Sequence, residues 1–207
     1  MTVLILSSRG ANSNTRYMIK DICKFVKCEE EIKYDIKSDL RGLVDLMELH
    51  NTESIMYFET TKRNESLWVS HREGPSIKFN VFNIYTMGSL KFPVNCFKDC
   101  GHVLLFSGEF DEIEELKRVK DLFTQVFKAK DTKNDRALCF FYLDDKIWIR
   151  NYVITEKELL EIGPRMVLEV DKILKGCFAG EVLYSKKVES ARKELESKIE
   201  DERKEIE

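Results

Sequence analysis

The chain has 207 residues, of which 43% are hydrophobic and 34% charged, with a formal net charge of −3. That length supports a sizeable core in one or two compact domains, and the composition is that of a globular protein with a polar surface. No run approaches the roughly 18 apolar residues of a membrane helix, and the charge argues against a uniformly basic nucleic-acid binder without excluding a local basic face.

In chain order, "TVLILSS" (2 to 8) is a short apolar run closed by small polar residues. It is expected to be a buried first strand, not a secretory signal. In "NTRYMIKDICKFV", Met18, Ile22, Phe25 and Val26 fall on one helical face, and Asn14 or Thr15 is positioned to cap the helix. A second helix is expected over 38 to 51, capped by Ser38, with Leu43, Leu46, Met47 and Leu49 as its apolar face. "SIMYFETTKRNESLWVS" (54 to 70) reads as strand, polar turn, strand. "EGPSIKFNV" (73 to 81) follows with period-two alternation after a Gly-Pro pair, which suits the first residues of a strand because proline lacks an amide hydrogen.

The pattern then restarts. "HVLLFSG" (102 to 108) lies beside "TVLILSS", and "DEIEELKRVKDLFTQVF" gives helical spacing to Ile113, Leu116, Val119, Leu122, Phe123 and Val126. "ALCFFYLDDKIWIR" (137 to 150) is a second hairpin, which places Trp148 where the first places Trp68. Gly163-Pro164 repeats Gly74-Pro75. The reading is an α/β (α+β) fold of two similar halves, about 1 to 100 and 101 to 184, sharing an interface. Residues 185 to 207 are expected to form a charged helix, in which Val188, Ala191, Leu195 and Ile199 make a narrow apolar stripe.

Signatures of catalysis are missing: the chain has no GxxxxGK[ST], GxGxxG, HExxH or GxSxG. Cys96, Cys100 and His102 lack a fourth ligand at metal-site spacing. No catalytic residue, metal or cofactor is therefore expected, and the six cysteines are expected to be reduced. The loop "SSRGANSNTR" (7 to 16) joins a strand to a helix N-terminus, where free amides and the helix dipole favour an anion. Arg9 and Arg16 add charge there and Gly10 permits close approach. A second basic group comprises Lys62, Arg63, Arg72 and Lys78, with Lys146, Arg150 and Arg165 as approximate counterparts in the second half. These residues could grip RNA phosphates or stack on bases. They could equally form surface ion pairs, Arg165 with Glu161 or Glu169.

"VLILSSRG", "GPSIKFNVFNIYTM", "DDKIWIRNYVI", "EIGPRMVLEV" and "GCFAGEVLY" together resemble the Brix-domain family of ribosome biogenesis proteins, over about residues 2 to 184. The resemblance implies two α/β halves, each similar to the anticodon-binding domains of class II aminoacyl-tRNA synthetases. It also implies a non-enzymatic factor of nucleus and nucleolus that binds pre-ribosomal RNA in precursors of the large (60S) subunit. Its partners would be assembly factors, including one of the EBNA-binding-protein type, with no membrane association. Within that setting, Arg9, Gly10, Arg16, Lys62, Arg63, Arg72, Lys78, Lys146, Arg150 and Arg165 are the expected RNA-binding residues. The alternative is a protein-only scaffold in the same particle.

Overall fold

The computed structural model describes residues 2–31, 34, 40–62, 64–90, 101–130, 134–192 and 194. The first half runs β1 (Val3–Ser7), α1 (Ser13–Phe25), β2 (Cys28–Glu30), α2 (Arg41–Leu49), β3 (Ser54–Thr60), β4 (Glu65–His71) and β5 (Ser76–Tyr85). The second runs β6 (Gly101–Phe106), α3 (Glu109–Glu112), α4 (Glu114–Val126), β7 (Asn134–Leu143), β8 (Lys146–Ile154), β9 (Leu159–Glu161), β10 (Arg165–Leu174) and β11 (Val182–Ser185). The strands form one sheet in the order β2-β1-β3-β4-β5-β10-β8-β7-β6, with β11 beside β10 and β9 beside β8.

The two halves repeat one topology. β1 is parallel to β3, and β4 and β5 then follow antiparallel. β6 is likewise parallel to β7, and β8 and β10 follow antiparallel. Each parallel pair needs a crossover, which α1 and α2 supply in one half and α3 and α4 in the other. The halves meet where β5 and β10 pair antiparallel, from Arg165↔Tyr85 to Leu174↔Ser76.

The repeat extends to single hydrogen bonds. The Ser8 amide donates to the Phe58 carbonyl and the Ser107 amide to that of Phe140. The Ser8 hydroxyl accepts from the Thr60 amide at 2.9 Å, and the Ser107 hydroxyl from the Tyr142 amide at 3.1 Å. Ser8 therefore corresponds to Ser107, one residue off the alignment that matched apolar letters. The Gly-Pro pairs also match: both peptide bonds are cis, and Gly74 and Gly163 have φ of 82° and 66°. A Cβ on Gly74 would lie 2.4 Å from the Lys175 carbonyl oxygen, so the 175–178 loop packs where only glycine fits.

Trp68 and Trp148 share a sheet face but not their surroundings. Counted from the Gly-Pro strands they match, pairing with Lys78 and Val167, each the third residue after its proline. Counted from the hairpins they do not: Phe58 pairs with Leu67 and Phe140 with Ile149, so Trp68 corresponds to Arg150. Trp68 is buried against Phe178, ring centroids 5.8 Å apart, whereas Trp148 is half-buried.

One face of the sheet carries α1 and α4 over a core that crosses both halves. It includes Ile5, Met18, Ile22, Phe79, Phe123, Phe140, Ile149 and Leu168. Burying each of these large side chains contributes about 1.5–3 kcal/mol, as period-two strands and period-3.6 helices turn their apolar positions together. Among the described residues the opposite face is covered only in the first half, where Leu43 and Met47 of α2 pack over Leu4, Leu6, Ile55, Tyr57 and Trp68.

Several local expectations are corrected. Asn12, not Asn14 or Thr15, caps α1, its side-chain oxygen accepting from the Thr15 amide at 2.8 Å. α2 starts at Arg41 without a side-chain cap, and Ser38 lies outside the described residues. Leu49 is 77% exposed, because it lies two residues beyond the buried Met47 and so on the opposite side of α2. The second-half helix is split at Ile113, whose extended backbone separates α3 from α4. Cys23 and Cys28 are joined as a disulfide, since the end of α1 abuts the start of β2 with the two Cα atoms 5.5 Å apart. Cys139 and Cys177 are free thiols, pushed up by burial. The C-terminal segment is helical over residues 186–192. No helix among the described residues is long and apolar enough to cross a membrane.

Candidate nucleic-acid interface

The loop from β1 to α1 turns tightly, with the Ala11 amide donating to the Ser8 carbonyl at 3.1 Å. The Arg16 guanidinium reaches back to the Ala11 carbonyl at 3.0 Å and braces the loop with one of its five donors. Gly10 faces the Thr60 carbonyl, 3.7 Å from where a Cβ would sit. The side-chain amide of Asn12 donates to Glu65. These contacts set the loop against the β3–β4 turn, which carries Lys62. Arg9, Gly10, Arg16 and Lys62 therefore occupy one end of the first half, all exposed, while Arg63 lies outside the described residues.

The exposed side of α1 extends this group. Tyr17 is 58% exposed and Lys20 is exposed beside it, its ammonium 6.0 Å from the Tyr17 ring centroid. Lys24 is half-buried and pairs with the buried Asp21 at 3.0 Å; Asp21 also accepts from the Met87 amide at 2.6 Å. Hollows flank Tyr17 on both sides. One, of about 310 Å³, is lined by Ser7, Ser13, Arg16, Lys20 and Glu30; the other, of about 470 Å³, by Asn14, Lys20, Lys24, Thr86 and Ser89. Sequence reasoning missed Tyr17, Lys20 and Lys24. The signal was present as cations at positions 16, 20 and 24, four residues apart on one helical face.

The remaining expected residues are elsewhere, and most of those on the sheet are occupied by carboxylates. Lys78 lies 3.5 Å from Glu59 and 5.5 Å from the Trp68 ring centroid. Arg150 and Arg165 converge on Glu161, Arg150 at 3.4 Å while its guanidinium also lies 5.4 Å from the Trp148 ring centroid. Arg165 donates two hydrogen bonds to Glu161, which hold its guanidinium above the usual range. Glu169 instead pairs with Lys186 and accepts from Asn80. Lys146 stands 5.2 Å from the Phe82 ring centroid. Arg72 is at the far end of β4, its amide bonded to the Glu53 carbonyl at 2.8 Å. The structure thus divides the nine described members of the ten expected residues into a loop-and-helix group, a sheet-face group and a separate arginine.

Two further titratable groups are shifted by burial. The buried His102 has its Nε2 2.7 Å from the Phe127 carbonyl oxygen, and burial holds its pKa below the ordinary imidazole value. Burial, reinforced by the hydrogen bond to Asp145, pushes the Tyr142 hydroxyl up to about 12. Among the described residues no group of three or more His, Cys, Asp or Glu side chains could hold a metal ion.

Residues 8–172 match the model of the Brix domain. The chain belongs to the Brix domain family. Among its relatives is a Xenopus laevis protein named ribosome biogenesis protein BRX1 homolog, 38% identical over 193 residues, which are 88% of this chain and 57% of that protein. The Saccharomyces cerevisiae protein named ribosome biogenesis protein BRX1 is 35% identical over 207 residues, covering 89% of this chain and 71% of that protein. The chain spans little more than half the length of most of these Brix relatives. A probable ribosomal biogenesis protein from Aeropyrum pernix K1 shares the fold, with a TM-score of 0.55 at 15% identity, covering 81% of this chain and 95% of that one.

Proposed function

We propose that the chain is a non-catalytic ribosome biogenesis factor that binds rRNA in precursors of the large subunit. Its setting in this reading is the nucleolus, among assembly partners that include one of the EBNA-binding-protein type. The observation that carries the RNA reading is the exposed Tyr17 set between Arg16 and Lys20, with Arg9 and Lys62 at the adjoining loop. A ring with cations on both sides stacks an unpaired base while the cations take the neighbouring phosphates. The names of the curated relatives support the biogenesis role.

Salt titration of binding to a single-stranded pre-rRNA fragment tests this. Removing one cation from a phosphate of a single strand flattens the log–log slope by roughly 0.7. The triple variant Arg16→Ala, Lys20→Ala, Lys62→Ala is expected to flatten it by about 2. Tyr17→Ala is expected to cost about 1–3 kcal/mol of affinity and to leave the slope unchanged. An unaltered slope in the triple variant removes the α1 face from the reading. For the sheet face a protein-binding role is favoured, because Glu161 already engages both Arg150 and Arg165.

A further inference from the structure

The halves share strand topology but differ in what covers them. In the first half, β2 lines the outer edge of β1, and α2 lies over the face made by Leu4, Leu6, Ile55, Tyr57 and Trp68. In the second half, α4 leads through residues 127–133 to β7, and the described residues include no counterpart of β2 or α2. The face they would cover is apolar and open: Leu105 is 48% exposed, Phe141 43% and Leu143 59%. Trp148 is cross-strand partner to Phe141, so the two residues stand opposite one another on this face. Lys146 and Arg150 stand on the same strand as Trp148, and Phe82 lies beneath Lys146.

We propose that this face is a docking site for one amphipathic helix of a partner protein, seated as α2 is seated on the first half. This specifies the partner component of the function proposed above and is independent of its RNA component. The occupant is argued from the repeat, because the same strand arrangement already shows what covers it: a short helix offering two buried apolar residues one turn apart, Leu43 and Met47. The seat is displaced. Leu6 corresponds to Leu105, but the aromatic anchor has moved from Trp68 to Trp148, toward the β7–β8 turn. The partner helix therefore crosses nearer that turn than α2 does in its own half. Its apolar residues, spaced i, i+3/i+4 and i+7, meet Leu105, Phe141, Leu143 and Trp148, and an acidic residue on its flank faces Lys146. A single RNA strand fits less well. Leucines offer it no stacking surface, and Arg150 is committed to Glu161.

The test places a photo-crosslinking phenylalanine analogue at Phe141 in the full chain, expressed in its own cells, and sequences the crosslinked peptide. The expected product is a protein segment with apolar residues at helical spacing. A synthetic peptide of that segment is then titrated against the full chain while the tryptophan emission is followed, with Trp148→Phe identifying the part that comes from Trp148. The expected result is a blue shift on binding, with affinity at least about tenfold weaker for Leu105→Asp and for Phe141→Ala and unchanged for Lys20→Ala. Crosslinks only to RNA, only to a second copy of the chain, or to no macromolecule overturn the proposal, as does a segment without helical spacing or a peptide whose affinity survives both variants. The RNA reading stands or falls separately on the α1 variants, which leave this face intact.

Discussion

The serine bonds that close β1 and β6 allow the duplication to be tested as energetics. Ser8→Ala removes the acceptor of the Thr60 amide, a 2.9 Å bond, at a residue only 6% exposed. Water has little access there, so the amide is left without a partner at a cost of about 1–2 kcal/mol. Ser107→Ala removes the corresponding 3.1 Å bond to the Tyr142 amide at a half-exposed residue. There water can replace the hydroxyl, and the expected cost is about 0.5–1 kcal/mol. For a chain of this size each kcal/mol lowers Tm by about 2–4 °C. The two serines directly follow strands at opposite sides of the sheet, separated in its order by β3, β4, β5, β10, β8 and β7. Their effects in the double variant should add to within about 0.5 kcal/mol. Urea denaturation of both single variants and the double variant, with unchanged m, measures this. If Ser8→Ala were neutral to within about 0.3 kcal/mol, the buried hydroxyl would not be satisfying the Thr60 amide and the reasoning from burial would be wrong.

Two further outcomes are expected. On α2, Met47→Ala should destabilise the protein by about 2–5 kcal/mol and Leu49→Ala by less than about 0.5, read from the same denaturation curves, since the first side chain is buried and the second 77% exposed. The His50 ring lies between Glu29 and Glu31, at 2.7 and 2.8 Å, and the hydrogen bond to Glu29 raises its pKa above 6.5. The stability it contributes is complete below that ordinary value and is lost as pH rises through the higher folded-state value. The buried His102 acts with the opposite sign, its lowered pKa withdrawing stability as pH falls through 6.5. The comparison that isolates His50 is the stability difference between the parent chain and His50→Gln. It should shrink from about pH 6 to about pH 8, and a constant difference would show that the imidazole is not held charged by Glu29 and Glu31.

The fold was legible where periodicity meets a chemical marker. The Gly-Pro pairs, the two hairpins and the restart at residue 102 all appear as strands and turns, and Asp144 and Asp145 adopt the positive φ of 52° and 56° that a two-residue hairpin turn requires. Register was not legible. "TVLILSS" and "HVLLFSG" match by letter, yet the ladder sets them one residue apart, because apolar residues fill both faces of a buried strand and leave no alternation to fix the phase. The grouping of the candidate site was half legible. Arg9 and Arg16 announced a basic loop, but Tyr17 and Lys20 were hidden by attention to the buried stripe of the same helix. The carboxylates that engage the sheet-face arginines were beyond sequence reasoning except for Glu161, four residues from Arg165.

The antiparallel seam between β5 and β10 makes a hinge between the halves impossible without breaking backbone ladder bonds. Neither half owns a finished border on that side. Cut apart, each would present a ten-residue strand with an unmated row of amides and carbonyls, a template for promiscuous association. The molecule thus behaves as a stiff ruler. On the two proposals above, a ligand on the exposed side of α1 and a helix seated above Trp148 would be kept at an invariant spacing, because both supports are tied to the same hydrogen-bonded spine.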